Sequence, residues 1–189
     1  MQSKKLMEKP VDSLESEIDS FDLIVAFKEW TDGSYPEIDG INELELALKN
    51  LKSYYIKETE FYDVVTLDLA IEDSYEVIQQ LNKSSPQFIK KAVPIDAIVP
   101  SVSDQIIDTA LEVASRKITK KKSFTVECEI RSKYHESLSE LIEKIPNKVC
   151  GKLNLEYVHQ NPDWVILIEE LGQNTAIAIQ NPDKIHLNR

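Results

Sequence analysis

Glycine is scarce in this sequence: four occur among 189 residues, and none falls in a Walker loop, a Gly-x-Gly-x-x-Gly turn or a Gly-x-Ser-x-Gly elbow. Loops that cradle phosphate need backbone that approaches a ligand with no Cβ in the way. Nucleotide, acetyl-CoA and S-adenosylmethionine sites of that kind are therefore not expected, and no cofactor is. Cysteine is rarer still. Cys128 and Cys150 lie far apart, in segments that read as a strand and a helix end, which suits reduced buried thiols better than a disulfide framework. Neither stands at ligand spacing from His135, His159 or His186, and the three histidines are not spaced for a metal among themselves, so no metal site is expected. No window reaches the roughly 18 unbroken apolar residues of a membrane span, and Met1 to Asp19 is polar rather than signal-like. The expected setting is cytoplasmic, with no membrane partner. Acidic pairs such as Glu127 with Glu129 read as solvated strand faces, and with no nucleophile arrangement in view the chain is not expected to be an enzyme.

What is abundant is acid. The net charge is -11, but it is unevenly spread. Residues 1 to 82 hold 7 Lys and Arg against 19 Asp and Glu, residues 83 to 152 hold 13 against 9, and residues 153 to 189 hold 2 against 5. Polyanion binding depends on local cations displacing counterions, so a phosphate-bearing partner is expected on the middle third and nowhere else.

Along the chain, residues 1–19 lack periodicity and read as a disordered lead-in. Phe21 to Phe27 is a short apolar run suited to a buried strand, followed by a loop with Gly33, Pro36 and Gly40. Asn42 to Glu45 caps a first helix carrying Leu44, Leu48 and Leu51. Glu60 to Ala70 reads as a strand, Asp73 to Glu76 caps a second helix, and Phe88 to Val99 is a strand broken near Pro94. This order predicts a ferredoxin-like α/β sandwich over residues 20–100. Ser101 to Asp104 has the form of a capping box before a helix ending in Arg116 and Lys117; Phe124 to Ile130 alternates as a half-buried strand. Ser137 to Glu140 opens another helix, which Pro146 would stop or kink although Val149 and Cys150 continue its stripe. Val165 to Leu171 and Thr175 to Ile179 are strands joined across Gly172 to Asn174. The fold class is α/β (α+β), with a second α/β unit over 101–182 and a tail, 183–189.

The order of parts in that second unit resembles the THUMP domain, a small RNA-binding module of tRNA-modifying machinery. A helix leads to Phe124-x-Val126 ending in Ile130 and Arg131, then a capped helix, and Asn161-Pro162-Asp163 opens an apolar strand closing in Ile168 and Glu169. The chain departs from the pattern just before that turn, with Tyr157, Val158 and His159. The N-terminal half resembles the ferredoxin-like domain that commonly precedes THUMP. Two such domains with nothing attached resemble the stand-alone THUMP proteins that assist tRNA cytidine acetylation. The resemblance implies a non-catalytic adaptor that binds the acceptor stem and 3′ CCA end of tRNA and presents it to a separate acetyltransferase for N4-acetylcytidine formation. The alternative is a protein-interaction module of the same fold with weak or no RNA binding, which the acidity favours.

The candidate RNA contacts are cations and their neighbours. Arg116, Lys117, Lys120, Lys121 and Lys122 follow a helix end; the plain reading is a solvated loop complementing the helix dipole, the functional one phosphate contact. Lys144, Lys148 and Lys152 recur at i, i+4, i+8 and form one stripe. Arg131, Lys133, Tyr134 and His135 follow the strand, where an Arg fork grips phosphate and a ring stacks on an unpaired base, unless they form only a polar loop. Whether these groups converge does not follow from spacing. Asn161 and Asp163 read as turn formers before RNA contacts. Trp30, Tyr35, Tyr54 and Tyr55 are candidate anchors for a basic protein partner on the acidic half, or core residues.

Overall fold

The computed structural model describes residues 20–29, 36–51, 53–70, 73–119, 121–131 and 138–187. The lead-in, Trp30 and Tyr35 lie outside them.

The first half is built as β1 (Leu23–Phe27), α1 (Pro36–Leu48), β2 (Tyr54–Glu58), β3 (Val64–Leu69), α2 (Ser74–Ser84) and β4 (Ile89–Pro94). It is ferredoxin-like, as the sequence predicts, but it contains β2, which the sequence reading misses, its one strand in this region being expected over Glu60 to Ala70. β2 is an edge strand with alternating half-buried and exposed residues, so its apolar signal is weak. α1 also starts earlier than expected, at Pro36, a residue whose fixed φ suits a first helical position. Gly40 is therefore inside the helix, not in a loop. A Cβ there would stand 2.3 Å from Phe27 Cδ1, so its absence lets α1 lie tight on β1. Asp73 caps α2 as expected, accepting from the Tyr75 N–H at 2.9 Å.

The second half comprises β5 (Ala97–Pro100), α3 (Ser103–Lys117), β6 (Ser123–Ile130), α4 (Leu138–Leu153), β7 (Glu156–Tyr157), β8 (Trp164–Leu171) and β9 (Asn174–Gln180), followed by the short strand β10 (His186–Leu187). The break at Pro94 is where the chain leaves one sheet for the other: β4 belongs to the first, β5 to the second. The change falls at Ile95 and Asp96, ahead of the boundary after residue 100 expected from sequence. The expected tail is not one, because β10 returns to the first sheet and pairs with β4. The sheet orders are β10-β4-β1-β3-β2, antiparallel throughout, and β5-β9-β8-β6-β7, in which β6 runs parallel to β7 and β8. The capping box does not form: α3 starts after Val102 without a side-chain cap, and Ser101 Oγ instead lies 2.8 Å from Thr175 Oγ1. Pro146 does not break α4, whose buried Leu141, Ile145 and Val149 hold it against the second sheet.

The side-chain alternation of each strand sets the layering. Leu23, Val25 and Phe27 pack on α1 and α2, while Ile24 and Ala26 turn the other way and meet Ala176 of β9. Ile166 and Ile168 pack on α3 and α4, while Val165 and Leu167 meet Val93 of β4 and Ile185. The two sheets thus face each other with the helices outside. A strand covered on both faces needs apolar residues at every position, which is why β1 reads LIVAF and β8 opens WVILI.

One part of this inter-sheet contact is charged. Lys91 of β4 reaches Glu129 at 2.6 Å and also binds Glu169. Arg131 lies 3.2 Å from Asp63, on the β2–β3 connection, and 3.0 Å from Glu169. Its Nη2 also stands 3.0 Å from Glu129, a charge contact without hydrogen-bond geometry. Burial pushes the Glu129 carboxyl up, but Lys91, Arg131 and Lys90 outweigh it and hold it down at about 2. Burial, with Glu169 and Glu127 nearby, pushes the thiol of the half-buried, free Cys128 up to about 12, which disfavours the thiolate.

Candidate nucleic-acid interface

The parallel pairing of β6 with β7 and β8 decides where the cations go. α3 leads into β6 at Ser123, α4 leads into β7, and Glu156 of β7 pairs with Ser123, so both helices end at the edge where these strands begin. Arg116 and Lys117 of the last turn of α3, Lys121 and Lys122 of the connection, and Lys152 of the last turn of α4 are gathered there. Three of them have carboxylate neighbours: Arg116 with Glu112 at 3.8 Å, Lys117 with Asp96 at 2.7 Å and Lys122 with Asp163 at 3.1 Å. The exposed pairs of Arg116 and Lys122 are worth about 0–1 kcal/mol, so a phosphate can displace their carboxylates, whereas Lys117 is half-buried and held by both oxygens of Asp96. Lys121, held at a φ of 65°, and Lys152 are exposed and have no ion-pair partner among the described residues. Lys120 lies outside the described residues.

The α4 stripe forms as its spacing predicts. Lys144, Lys148 and Lys152 are all exposed, and span roughly 12 Å along the axis. Lys144 pairs with Glu140 on its own helix and Lys148 with Asp108 of α3 at 2.9 Å, which leaves Lys152, at the cationic edge, the freest of the three.

Arg131 does not join them. It follows the far end of β6, a strand length or roughly 25 Å from Lys122. Its side chain is 6% exposed, with the guanidinium among Asp63, Glu129 and Glu169. The fork expected to grip phosphate is instead a tie between the two sheets. Glu129, expected on a solvated face, is part of the same tie. Lys133, Tyr134 and His135, the other members of that group, lie outside the described residues.

The Asn161–Asp163 turn is architectural, as its turn-forming side chains suggest. Asn161 takes a φ of 48°, a left-handed conformation that asparagine tolerates. Asp163 accepts from the Ser123 N–H at 2.9 Å and from its hydroxyl at 3.0 Å, fastening the start of β8 to the start of β6. Those bonds, with Lys122, hold its carboxyl below the ordinary range. Beside this turn opens a cleft of about 540 Å³, lined among others by Thr125, Glu127, His159, Pro162 and Pro182. Sequence reasoning assigned no role to this cleft, although one signal was present: Asn-Pro-Asp occurs twice, at 161–163 and 181–183. Among the described residues no group of acidic, His and Cys side chains is placed to hold a metal, and no helix is long and apolar enough to cross a membrane.

The family model of the THUMP domain matches residues 101–180, which take in α3 through β9. Residues 101–180 are a THUMP domain. Around it, the fold is similar to PH1313 from Pyrococcus horikoshii Ot3, with a TM-score of 0.63 and 20% identity over 85% of this chain and 54% of that one. It is similar to a 4-thiouridine synthetase solved with RNA and bound ATP, with a TM-score of 0.57 and 13% identity over 85% and 41% of the two chains. TrmN from Thermus thermophilus gives 0.54 and 12% over 85% and 46%. At such identities the likeness is one of fold, and the chain spans about half the length of these structures. No curated protein sequence matches the chain. Arg116, Lys117, Lys121, Lys122 and Lys152 of the THUMP domain thus lie at the edge where β6, β7 and β8 begin, and much of its inner sheet face packs on the ferredoxin-like half.

Proposed function

We propose that this protein is a cytoplasmic, non-catalytic tRNA-binding adaptor, which holds the acceptor stem and 3′ CCA end through its THUMP domain and presents them to a separate tRNA cytidine acetyltransferase. The observation that carries the RNA half of this reading is the gathering of Arg116, Lys117, Lys121, Lys122 and Lys152 at one edge of a THUMP domain in a protein whose net charge is -11. Local cations set polyanion affinity, whatever the total charge. A protein of similar fold, the 4-thiouridine synthetase solved with RNA, supports the RNA-modification setting by its name. The acetyltransferase partner rests on the resemblance alone. A protein-interaction role is favoured by a different observation, the exposed Ile38, Leu46 and Tyr55 on the acidic half, at 59%, 64% and 64%.

The deciding experiment is tRNA binding across a salt series, with intact tRNA and tRNA lacking its CCA end. The adaptor is expected to bind intact tRNA with an affinity that falls steeply with salt, each phosphate contact adding about 0.7–0.9 to the log–log slope. Charge reversal at Lys121 or Lys152 is expected to weaken binding and flatten that slope. Absence of binding at about 50 mM salt, with the acetyltransferase bound nonetheless, would replace the RNA reading with the protein-interaction one.

A further inference from the structure

The repeated Asn-Pro-Asp turns build a site together. Asn181 Nδ2 donates to the Asp163 carbonyl at 2.9 Å, which locks the second turn onto the first, and Pro162 and Pro182 both line the cleft of about 540 Å³. That volume is in the range of small-ligand sites, roughly 300–1,000 Å³. Prolines have no N–H to offer, so the polar choice among ligands falls to other lining groups. Glu127 is the one with charge, and its carboxylate has no hydrogen bond or ion pair among the described residues. Its neighbour two positions on, Glu129, lies on the same side of β6 and is held by Lys91 and Arg131. An ionised carboxylate only accepts, so a ligand here must bring an N–H or O–H donor, which on a flat base is an N–H, and keep its phosphates away from Glu127. The His159 ring, also lining the cleft, is fixed by an edge contact with Tyr157, 5.0 Å between centroids, and gives a surface on which a flat ring stacks. Cations stand just outside: Lys122 is bound to Asp163, the residue after Pro162, and Lys121 precedes it.

A flat ligand with amine donors on one side and phosphate on the other is a nucleotide. We propose that the cleft between the two Asn-Pro-Asp turns holds one unstacked base of a single-stranded RNA, and that Glu127 selects bases bearing an exocyclic amine over uracil. The amine of cytosine donates to Glu127; uracil turns a carbonyl oxygen to the same place and is repelled. Thus Glu127 sets base preference while Lys121, Lys122 and Lys152 set affinity. The inference rests on the RNA-binding reading above.

The test compares binding of short oligocytidine and oligouridine, two pyrimidines with the same backbone, to the full chain at low salt. Oligocytidine is expected to bind about tenfold tighter, the worth of one hydrogen bond to a charged acceptor. Glu127→Gln, at an exposed position that leaves thermal stability unchanged, is expected to bring the two within about twofold, since an amide both donates and accepts. Lys121→Glu is expected to weaken both equally, leaving the ratio intact. Equal binding of the two by the unaltered protein, or a preference that survives Glu127→Gln, would overturn the base site while leaving salt-sensitive tRNA binding standing. Failure of both oligonucleotides and tRNA to bind would overturn the RNA reading and this site with it.

Discussion

Arg131 and Lys121 flank the same strand with the same charge, yet their surroundings make them different tools. Lys121 is exposed, and changing it alters little but the local field. The guanidinium of Arg131 is closed in by Asp63, Glu129 and Glu169, so Arg131→Ala takes from the buried Glu169 one of its two cations, leaving Lys91, and strips Asp63 of its contact across the sheets. Loss of one partner from a buried pair costs about 3–5 kcal/mol, whereas an exposed charge change stays within about 0.5 kcal/mol. Urea unfolding should therefore show Arg131→Ala strongly destabilised and Lys121→Glu unchanged in stability, with RNA affinity responding in the opposite order. Equal stabilities for the two variants would remove Arg131 from its structural role. The sequence could not separate them, because the carboxylates that claim Arg131 stand 68 and 38 positions away at Asp63 and Glu169. Cationic character was legible; which cation faces water was a tertiary fact.

Local signals fail among the elements where tertiary packing outweighs propensity. Pro36 and Gly40 suggest a loop, yet α1 runs through both because Gly40 gives the helix room against the buried ring of Phe27. In an open helix Gly→Ala gains about 1 kcal/mol. Here the new methyl would meet Phe27 Cδ1 at 2.3 Å and Cε1 at 2.7 Å, and Phe27 is 2% exposed, so its ring has nowhere to go. Overpacking of this kind costs about 1–3 kcal/mol, which outweighs the gain in propensity. Gly40→Ala is expected to lower the thermal midpoint, and a rise would show that α1 is not seated on β1 as described. Elements with strong periodicity were legible: α3 with Ile106, Ile107, Ala110 and Ala114, β6 with its alternation, and the apolar run of β8. β2 was not, since an edge strand half in water needs no continuous apolar pattern. Pro146 signals a stop or kink because a helix interior normally loses about 3 kcal/mol to proline, while Val149 and Cys150 continue the stripe; the burial of Leu141, Ile145 and Val149 around it offsets that loss.

The whole molecule is two α/β sandwiches joined sheet to sheet, and its sensitivity to acid follows from the charges placed between them. The Glu129 carboxyl has a folded pKa of about 2, below the ordinary value of about 4.3 for a free glutamate. Between these values the unfolded chain binds the proton and the folded chain does not, so stability rises with pH there. The contribution is complete above about pH 5 and is lost as pH falls through 4 towards 2. A shift of this size corresponds to something on the order of 3 kcal/mol. Protonation also leaves Lys91 and Arg131, both raised in pKa by Glu169 and Glu129 against the cost of their burial, with less negative charge between the sheets. Glu129→Gln cannot titrate, so it should be less stable than the unaltered protein at pH 7, and the gap between the two should narrow as pH falls below 5. Denaturant midpoints measured from pH 7 to pH 2.5 read this directly. Parallel curves for the two proteins would mean that Glu129 is paired with solvent and that the sheets are held together by Ile24, Val93, Leu167 and Ala176 without help from charge.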